Sequence, residues 1–405
     1  MILKVDNSVI AVDRLLDAFA RTTDQIFSLD SLRTRLLSGK RLTLKYGVDV
    51  TAPTLHIGHA VNLWMYRELQ ELGHRVVFLI GDFTTAIGDP TGKSKTRPVI
   101  PQEEIERNAK EFIEQALGVL HADSAVFEVR RNSEWCDKLS VRDFLSLLSS
   151  LTHDRLMSRD MFRRRQDAGE DIYMHEALYP VIQGFDSVAL ESDITIVGSD
   201  QLFNEMIGRF FQAKSGQAEQ VVITTKITPG LDGREKQSKS LNNYVGLAHS
   251  PREKFGRLMS IPDELIEPYF RVYTSLPLED SRFSAEAIKV DPMGAKLELA
   301  TAVVARYHGE SVAAAEVEWF SQTVRAGKSP EEIPEVHLDG EPPWTAFEVA
   351  RQCLSQNQSN SHIRRLFGQR AVRFDDHVVS EPGELVDLPA IVKIGKRNWF
   401  RVVGQ

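Results

Sequence analysis

The sequence predicts a doubly wound α/β domain on a parallel sheet, followed by a mostly helical stretch and a small, locally basic tail. Three observations carry this. Short, continuously apolar runs alternate with helical segments through the first half, the pattern of strands buried on both faces of a parallel sheet. From about residue 250 to 325 the apolar spacing turns mostly helical. Residues 326–343, rich in Pro, Gly and Glu, read as an exposed linker. Beyond them, residues 344–405 hold nine Lys/Arg against six Asp/Glu, in a chain whose net charge is −8.

Taken in order, residues 41–48 read as a strand and 58–72 as a helix with apolar positions at helical spacing. Residues 75–80, RVVFLI, are a short buried strand, and 126–129 and 194–197 repeat that signature. In such sheets ligands sit beyond the C-terminal ends of the strands. Residues 141–165 look helical. There Phe144, Leu147, Leu148 and Leu151 form a stripe at i, i+3, i+4 and i+7, which faces either the protein's own core or a second subunit. Residues 296–307 are the clearest helix of the later stretch.

The totals set bounds. With 405 residues, 42% hydrophobic and 26% charged, the chain has the composition of a soluble protein of two or three domains. No apolar run approaches a membrane span, and the N-terminus shows no secretory signal. Cys136 and Cys353 are the two cysteines; they form neither a disulfide framework nor a zinc site, and they fit a reducing cytoplasm. A net negative charge argues against nucleic-acid binding through the whole surface, though not against a local basic site.

Two segments carry chemistry. In the first, a strand ending near Asp49 passes through Thr51 into a helix that begins around His56-Ile57-Gly58-His59. Backbone N–H groups at a helix start form an anion site, and two histidines flanking a glycine let a phosphate come close. A metal pair or two capping histidines are the alternatives, and no third ligand lies nearby in sequence. In the second, turn residues 229–233 introduce Lys236-Gln237-Ser238-Lys239-Ser240. Two ammonium groups on flexible stems suit charge developing on a leaving pyrophosphate; a solvated lysine loop is the alternative.

Together these segments resemble the HIGH and KMSKS signatures of class I aminoacyl-tRNA synthetases, in the order and separation of that class. Three further stretches are similar to the tyrosyl-tRNA synthetase family, closest to its bacterial branch with a C-terminal S4 domain. They are the loop from Gly81 to Lys93, the Tyr179…Gln183..Asp186 pattern, and Gly198-Ser199-Asp200-Gln201 followed by Asn204. The resemblance covers the chain from about residue 41 to the end. It implies a Rossmann-like catalytic domain with a dimerisation insertion over 1–246 and a helical anticodon-recognition domain over 247–330. A linker over 331–343 and an S4-like RNA-binding domain over 344–405 complete the expected order.

The implied activity is ATP-dependent activation of tyrosine and its transfer to tRNA(Tyr), in a cytoplasmic homodimer, with Mg²⁺ accompanying ATP and no zinc. His56, His59, Lys236 and Lys239 would be catalytic. The nucleotide side would be Asp49, Thr51, Gly58, Gly198, Asp200 and Ser238. The amino-acid side would be Lys45, Gly47, Thr84, Asp89, Tyr179, Gln183, Asp186 and Gln201.

The residues suit those roles. Tyr179, Gln183 and Asp186 share one helical face. Asp89, Tyr179 and Gln183 offer acceptors to an ammonium, and Asp186 offers one to a phenol. A site built so rejects phenylalanine, because a buried aspartate would lose its partner. Residues 359–379 resemble an S4 helix followed by strand–turn–strand, with Arg364, Arg365, Arg370 and Arg373 facing phosphates.

Three positions depart from the family pattern. Gln237 stands where methionine is usual and Asn242 where glycine is common. Lys45 stands where one branch places a tyrosine against the substrate phenol. The first two leave open a duplicated synthetase kept for a special role, such as inhibitor resistance or activation of a tyrosine analogue. A paralogue that activates a tyrosine-like acid for a non-tRNA acceptor is a separate rival, against which the S4-like tail speaks.

Overall fold

The computed structural model describes residues 4–404, apart from 52, 90–99, 239–240, 326–332, 340–341, 355–357, 376 and 396–397. The chain divides into two compact units, Met1–Gly309 and Glu310–Gln405.

The first unit is built on six strands: β1 (Thr23–Phe27), β2 (Thr43–Val48), β3 (Arg75–Ile80), β4 (Phe127–Arg131), β5 (Ile194–Gly198) and β6 (Val221–Thr225). Their spatial order is β1-β6-β5-β2-β3-β4. Every neighbouring pair is parallel except β1 with β6, which is antiparallel. The four expected strands are in place. The run VVITT of β6 is buried along its whole length, whereas β1 lies at the edge with two exposed residues.

The chain order reverses between β5 and β2, so a crevice opens there at the strands' C-terminal ends. The β2–β5 ladder holds for two pairs, Leu44↔Ile194 and Lys45↔Thr195. At that split stands Tyr66, from the helix Ile57–Glu71. Its buried hydroxyl donates to the Lys45 carbonyl and accepts from the Ile196 N–H at 2.7 Å. A side chain thus satisfies backbone groups that the diverging ladder leaves over, as buried backbone requires.

Residues 141–165 are not one helix. They break into Val141–Leu148, His153–Met157 and Asp160–Asp167, because Thr152 starts a new helix by accepting the Arg155 N–H with its hydroxyl. The stripe Phe144, Leu147, Leu148 and Leu151 packs against Leu156, Val181, Ile207 and Phe211 of its own unit. All four are half-buried there, so the stripe packs inward while keeping part of its surface exposed.

After β6 the first unit is helical, as expected. Ser250 caps Pro251–Leu258 in a reciprocal box with Glu253. Ile266–Tyr273 and Pro292–His308 follow.

The second unit contains the helix Glu310–Phe320, then β7 (Glu335–His337), β8 (Trp344–Thr345) and the helix Ala346–Cys353. The helix Asn360–Gly368, β9 (Val372–Phe374), β10 (His377–Val378), β11 (Leu385–Val386), β12 (Ala390–Ile394) and β13 (Asn398–Val403) complete it. Five strands form a sheet in the order β10-β9-β12-β13-β7. The helix followed by the β9–β10 hairpin matches the arrangement expected for 359–379. The expected linker does not hold over 335–337. Those residues pair in parallel with β13, and Leu338 is buried in this unit's core. The remainder of that segment lies mostly outside the described residues.

Tyr66→Phe tests the strand split. It leaves the Ile196 N–H without its partner, so the protein should lose about 1–3 kcal/mol. Urea denaturation should show a lower midpoint at unchanged slope; an unchanged midpoint contradicts this role.

Candidate active site

The crevice holds a cavity of about 690 Å³. Its lining includes Lys45, Gly47, Asp49, Thr51, His56, Gly58, His59, Thr84, Asp89, Tyr179, Gln183, Asp186, Gly198, Asp200, Gln201, Lys236 and Ser238. Every described catalytic, nucleotide-side and amino-acid-side residue expected from the sequence therefore meets in one place. Lys239 lies outside the described residues. Arg364, Arg365, Arg370 and Arg373 are exposed on the second unit.

Asp186 is a buried carboxyl, 4% exposed, on the helix Met174–Ala189. That helix packs tightly on Leu202–Lys214 because Gly184 lacks a side chain; a Cβ there would come within 2.7 Å of Ile207. Trp135 Nε1 donates to Asp186 at 2.9 Å and Asn132 Nδ2 at 3.5 Å. Burial pushes its pKa up to about 7, against the opposing pull of the Lys45 charge and these two donors. Next along the wall, the Tyr179 hydroxyl donates to Asp49 at 3.0 Å, and Thr84 donates to the other oxygen of Asp49 at 2.8 Å. Burial, reinforced by the Asp49 charge, holds the Tyr179 phenol well above its ordinary value, so it remains a donor.

A row of amides crosses the site. Gln183 donates to Glu205 at 3.0 Å, Asn204 donates to both Gln183 and Gln201, and Gln201 donates to Asp89 at 2.8 Å. This side presents carboxylates and amide oxygens, which suit an ammonium.

The opposite end carries the two histidines and Lys236. His56 is the N-cap of Ile57–Glu71, and its N–H donates to His59 Nδ1 at 3.2 Å. The two rings lie 3.8 Å apart. A Cβ on Gly58 would meet the His56 ring at 3.0 Å, so glycine lets that ring lie across the first turn. The capping reading of the histidines is thus realised, and both rings still line the cavity. Lys236 reaches Asp200 at 3.3 Å. The stretch that follows the lysine segment pairs with the histidine segment through backbone: Ile57 N–H donates to Val245 O and Leu247 N–H to Leu55 O, both at 2.9 Å.

The departures in the lysine loop have local explanations. Asn242 sits at φ 52°, a left-handed conformation that asparagine tolerates next best to glycine. Its side chain also accepts from Arg257 at 3.0 Å. Gln237 is buried and donates to the Tyr273 hydroxyl at 2.7 Å, tying the loop to Ile266–Tyr273.

Sequence reasoning missed Asn132, Trp135 and Glu205. Asn132 and Trp135 follow β4, and a position past a strand's C-terminal end was their one available signal. Glu205 stands on the inward side of a helix beside Ile207 and Phe211, where a charge demands a partner; that partner is Lys45, 160 residues away.

The model of the family described as tRNA synthetases class I (W and Y) matches residues 37–325. A tyrosine–tRNA ligase of Ralstonia nicotianae is 42% identical over 371 residues, which is 90% of this chain and 93% of that relative. One of Oleidesulfovibrio alaskensis is 39% identical over 400 residues, 97% of this chain and 99% of that relative. Among solved structures, a C-terminally truncated mitochondrial tyrosyl-tRNA synthetase of Aspergillus nidulans gives a TM-score of 0.62 at 22% identity. The match covers 77% of this chain and 93% of that one, a likeness of fold.

Trp135→Phe removes a donor that favours the ionised Asp186. The carboxyl should then titrate above its present pKa of about 7, read from its ¹³C shift against pH. An unmoved titration means the indole does not tune this group.

Proposed function

The chain belongs to the class I tRNA synthetases of the W and Y group and, within it, to the tyrosine–tRNA ligases; we propose that its cleft activates tyrosine with ATP and passes it to tRNA(Tyr) as follows. The observation that carries the assignment of the cleft is Asp186. It is a buried carboxyl whose two oxygens already accept from Trp135 and Asn132, and it lines the same cavity as both signature segments. With donors fixed on it, this group serves as an acceptor, which a phenol satisfies and a phenyl ring does not.

The α-ammonium of tyrosine lies toward Asp89, Tyr179 and Gln183, and its carboxylate points to the histidine end. That carboxylate is already ionised at neutral pH, so no general base is required. Its oxygen attacks the α-phosphorus of ATP, the bond to the β-phosphate oxygen breaks, and pyrophosphate leaves. His56, His59, Lys236 and Lys239 stabilise the charge that develops, while Asp49, Thr51, Gly58, Gly198, Asp200 and Ser238 hold the nucleotide. Magnesium enters with ATP as part of that substrate. A terminal ribose hydroxyl of the tRNA then attacks the adenylate carbonyl and AMP departs. Catalysis is positioning and charge stabilisation.

Asp49, assigned to the nucleotide, contacts Tyr179 and Thr84, so it stands where the two substrate halves join.

The domain assignment keeps residues 1–246 as catalytic and 247–330 as anticodon-recognising. Residues 344–405 act as an S4-like clamp whose Arg364, Arg365, Arg370 and Arg373 meet phosphates. The enzyme works in the cytoplasm as a homodimer; no helix among the described residues is long and apolar enough to cross a membrane. Support for the dimer comes from Val141 and Met174, 76% and 71% exposed, apolar surface of the kind a two-fold contact covers. Sedimentation equilibrium should return twice the chain mass at micromolar concentration; a monomer refutes it.

ATP–pyrophosphate exchange across the twenty amino acids tests the cleft. Tyrosine alone should support it, and Lys236→Ala should slow it by roughly 10²–10³-fold. The ionised Asp186 is the form that accepts a phenol proton, and it is depleted below its pKa of about 7. Preference for tyrosine over phenylalanine should therefore fall as the pH is lowered from 8 to 6. Exchange with another amino acid, or pH-independent selectivity, contradicts the assignment.

A further inference from the structure

Beneath the amino-acid side of the cleft lies an ion pair that the proposed reaction does not use. Lys45 on β2 and Glu205 on Leu202–Lys214 are 2% and 1% exposed. The Lys45 ammonium donates to Ser187 Oγ at 2.8 Å and to both Glu205 oxygens, at 3.1 and 2.8 Å. Three protons meet three acceptors, so nothing remains for a substrate, although Lys45 lines the cavity. Glu205 in turn accepts from Gln220 Nε2 at 2.8 Å and from Gln183 Nε2 at 3.0 Å.

The last contact decides which way the Gln183 amide points. A carboxylate accepts and never donates, so it draws the NH₂ of Gln183 to itself and turns Oε1 the other way. Asp89 does the same to Gln201 at the far end of the row. Between them the fully buried Asn204 faces two oxygens, and its NH₂ donates to both, at 2.7 and 3.0 Å. Asn204 Oδ1 then finds no donor among the described residues. The end carboxylates therefore impose this direction; the central amide would not choose it.

We propose that Glu205, held in place by Lys45, is a positioning residue for amino-acid binding: it locks the Gln183 carboxamide with its oxygen available to the substrate's ammonium. Without that anchor the amide NH₂ loses its acceptor and the Asn204 contact alone holds the oxygen, so the amide can turn and present NH₂ to a cation, which repels it. Lys45 then acts through Glu205 and not by touching the phenol, which revises the direct substrate contact expected for it. The inference rests on the reading that this cleft binds tyrosine through its ammonium.

Removing one partner alone strands a buried charge and endangers folding. The decisive variant is therefore the double Lys45→Met/Glu205→Leu, which removes both charges together, measured beside Glu205→Leu in ATP–pyrophosphate exchange. In the double variant, thermal unfolding should stay near that of the wild type. Its KM for the amino acid should rise by about tenfold or more, the loss of one charge-directed contact, with kcat and the KM for ATP changing far less. Adding Gln183→Met to the double variant should raise that KM no further, because the contact is already lost. A wild-type amino-acid KM in the double variant reduces the pair to a structural ion pair, and an equal loss in kcat also overturns the proposal. The amino acid that drives exchange in the wild type reports separately on the tyrosine reading, and the KM comparison is made with that amino acid.

Discussion

The cleft depends on two adjacent strands that stop pairing. β2 and β5 share two residue pairs and then separate, and one hydroxyl, that of Tyr66, bonds to backbone on both strands where they part. Several of the cavity's residues stand at or just past the ends of those two strands. Gly47 and Asp49 follow from β2, Gly198 and Asp200 from β5, and the helix bearing the two histidines leaves the β2 side. Had the ladder continued, the space between these loops would be closed by backbone hydrogen bonds. An open parallel sheet thus sets the location of the site before any catalytic residue is chosen.

Within the cleft, charge is arranged by buried groups whose orientation is fixed by others. Asp186 is held by an indole and an amide, Asp49 by a phenol and a hydroxyl, and the row of amides by a carboxylate at each end. Such polar networks hold donors and acceptors still in a medium of low dielectric, where an unmade bond is costly. One end of the cavity is rich in acceptors and suits the amino acid. The other end carries the histidines and Lys236 and suits phosphates. In the proposed reaction the two meet near Asp49.

The strands of the sheet's centre were legible because both their faces are buried, so RVVFLI and its counterparts are apolar without interruption. The histidine and lysine segments were legible because two histidines at a helix start and a turn-borne pair of lysines each suit phosphate charge. What sequence reasoning missed was long-range or marginal. β1 is an edge strand with two exposed residues, and its pairing with β6 joins segments some two hundred residues apart. The break at Thr152 is a cap competing with an unbroken apolar stripe, and the stripe dominated the reading. Residues 335–337 look like linker in composition, and only the edge of β13 makes them a strand. Glu205 is the clearest case: an inward charge can be suspected locally, but its partner lies on a distant strand.

The central claim is that this single crevice holds an amino acid at its Asp186 end and a nucleotide at its histidine end. The most direct measurement is a crystal structure of the protein bound to a non-hydrolysable tyrosyl-adenylate analogue. The account predicts the phenol oxygen within hydrogen-bonding distance of Asp186, the ammonium against Gln183 and Asp89, and the ribose beside Asp200. A phenol lying away from Asp186, or an adenosine occupying the Gln183 end, would contradict it.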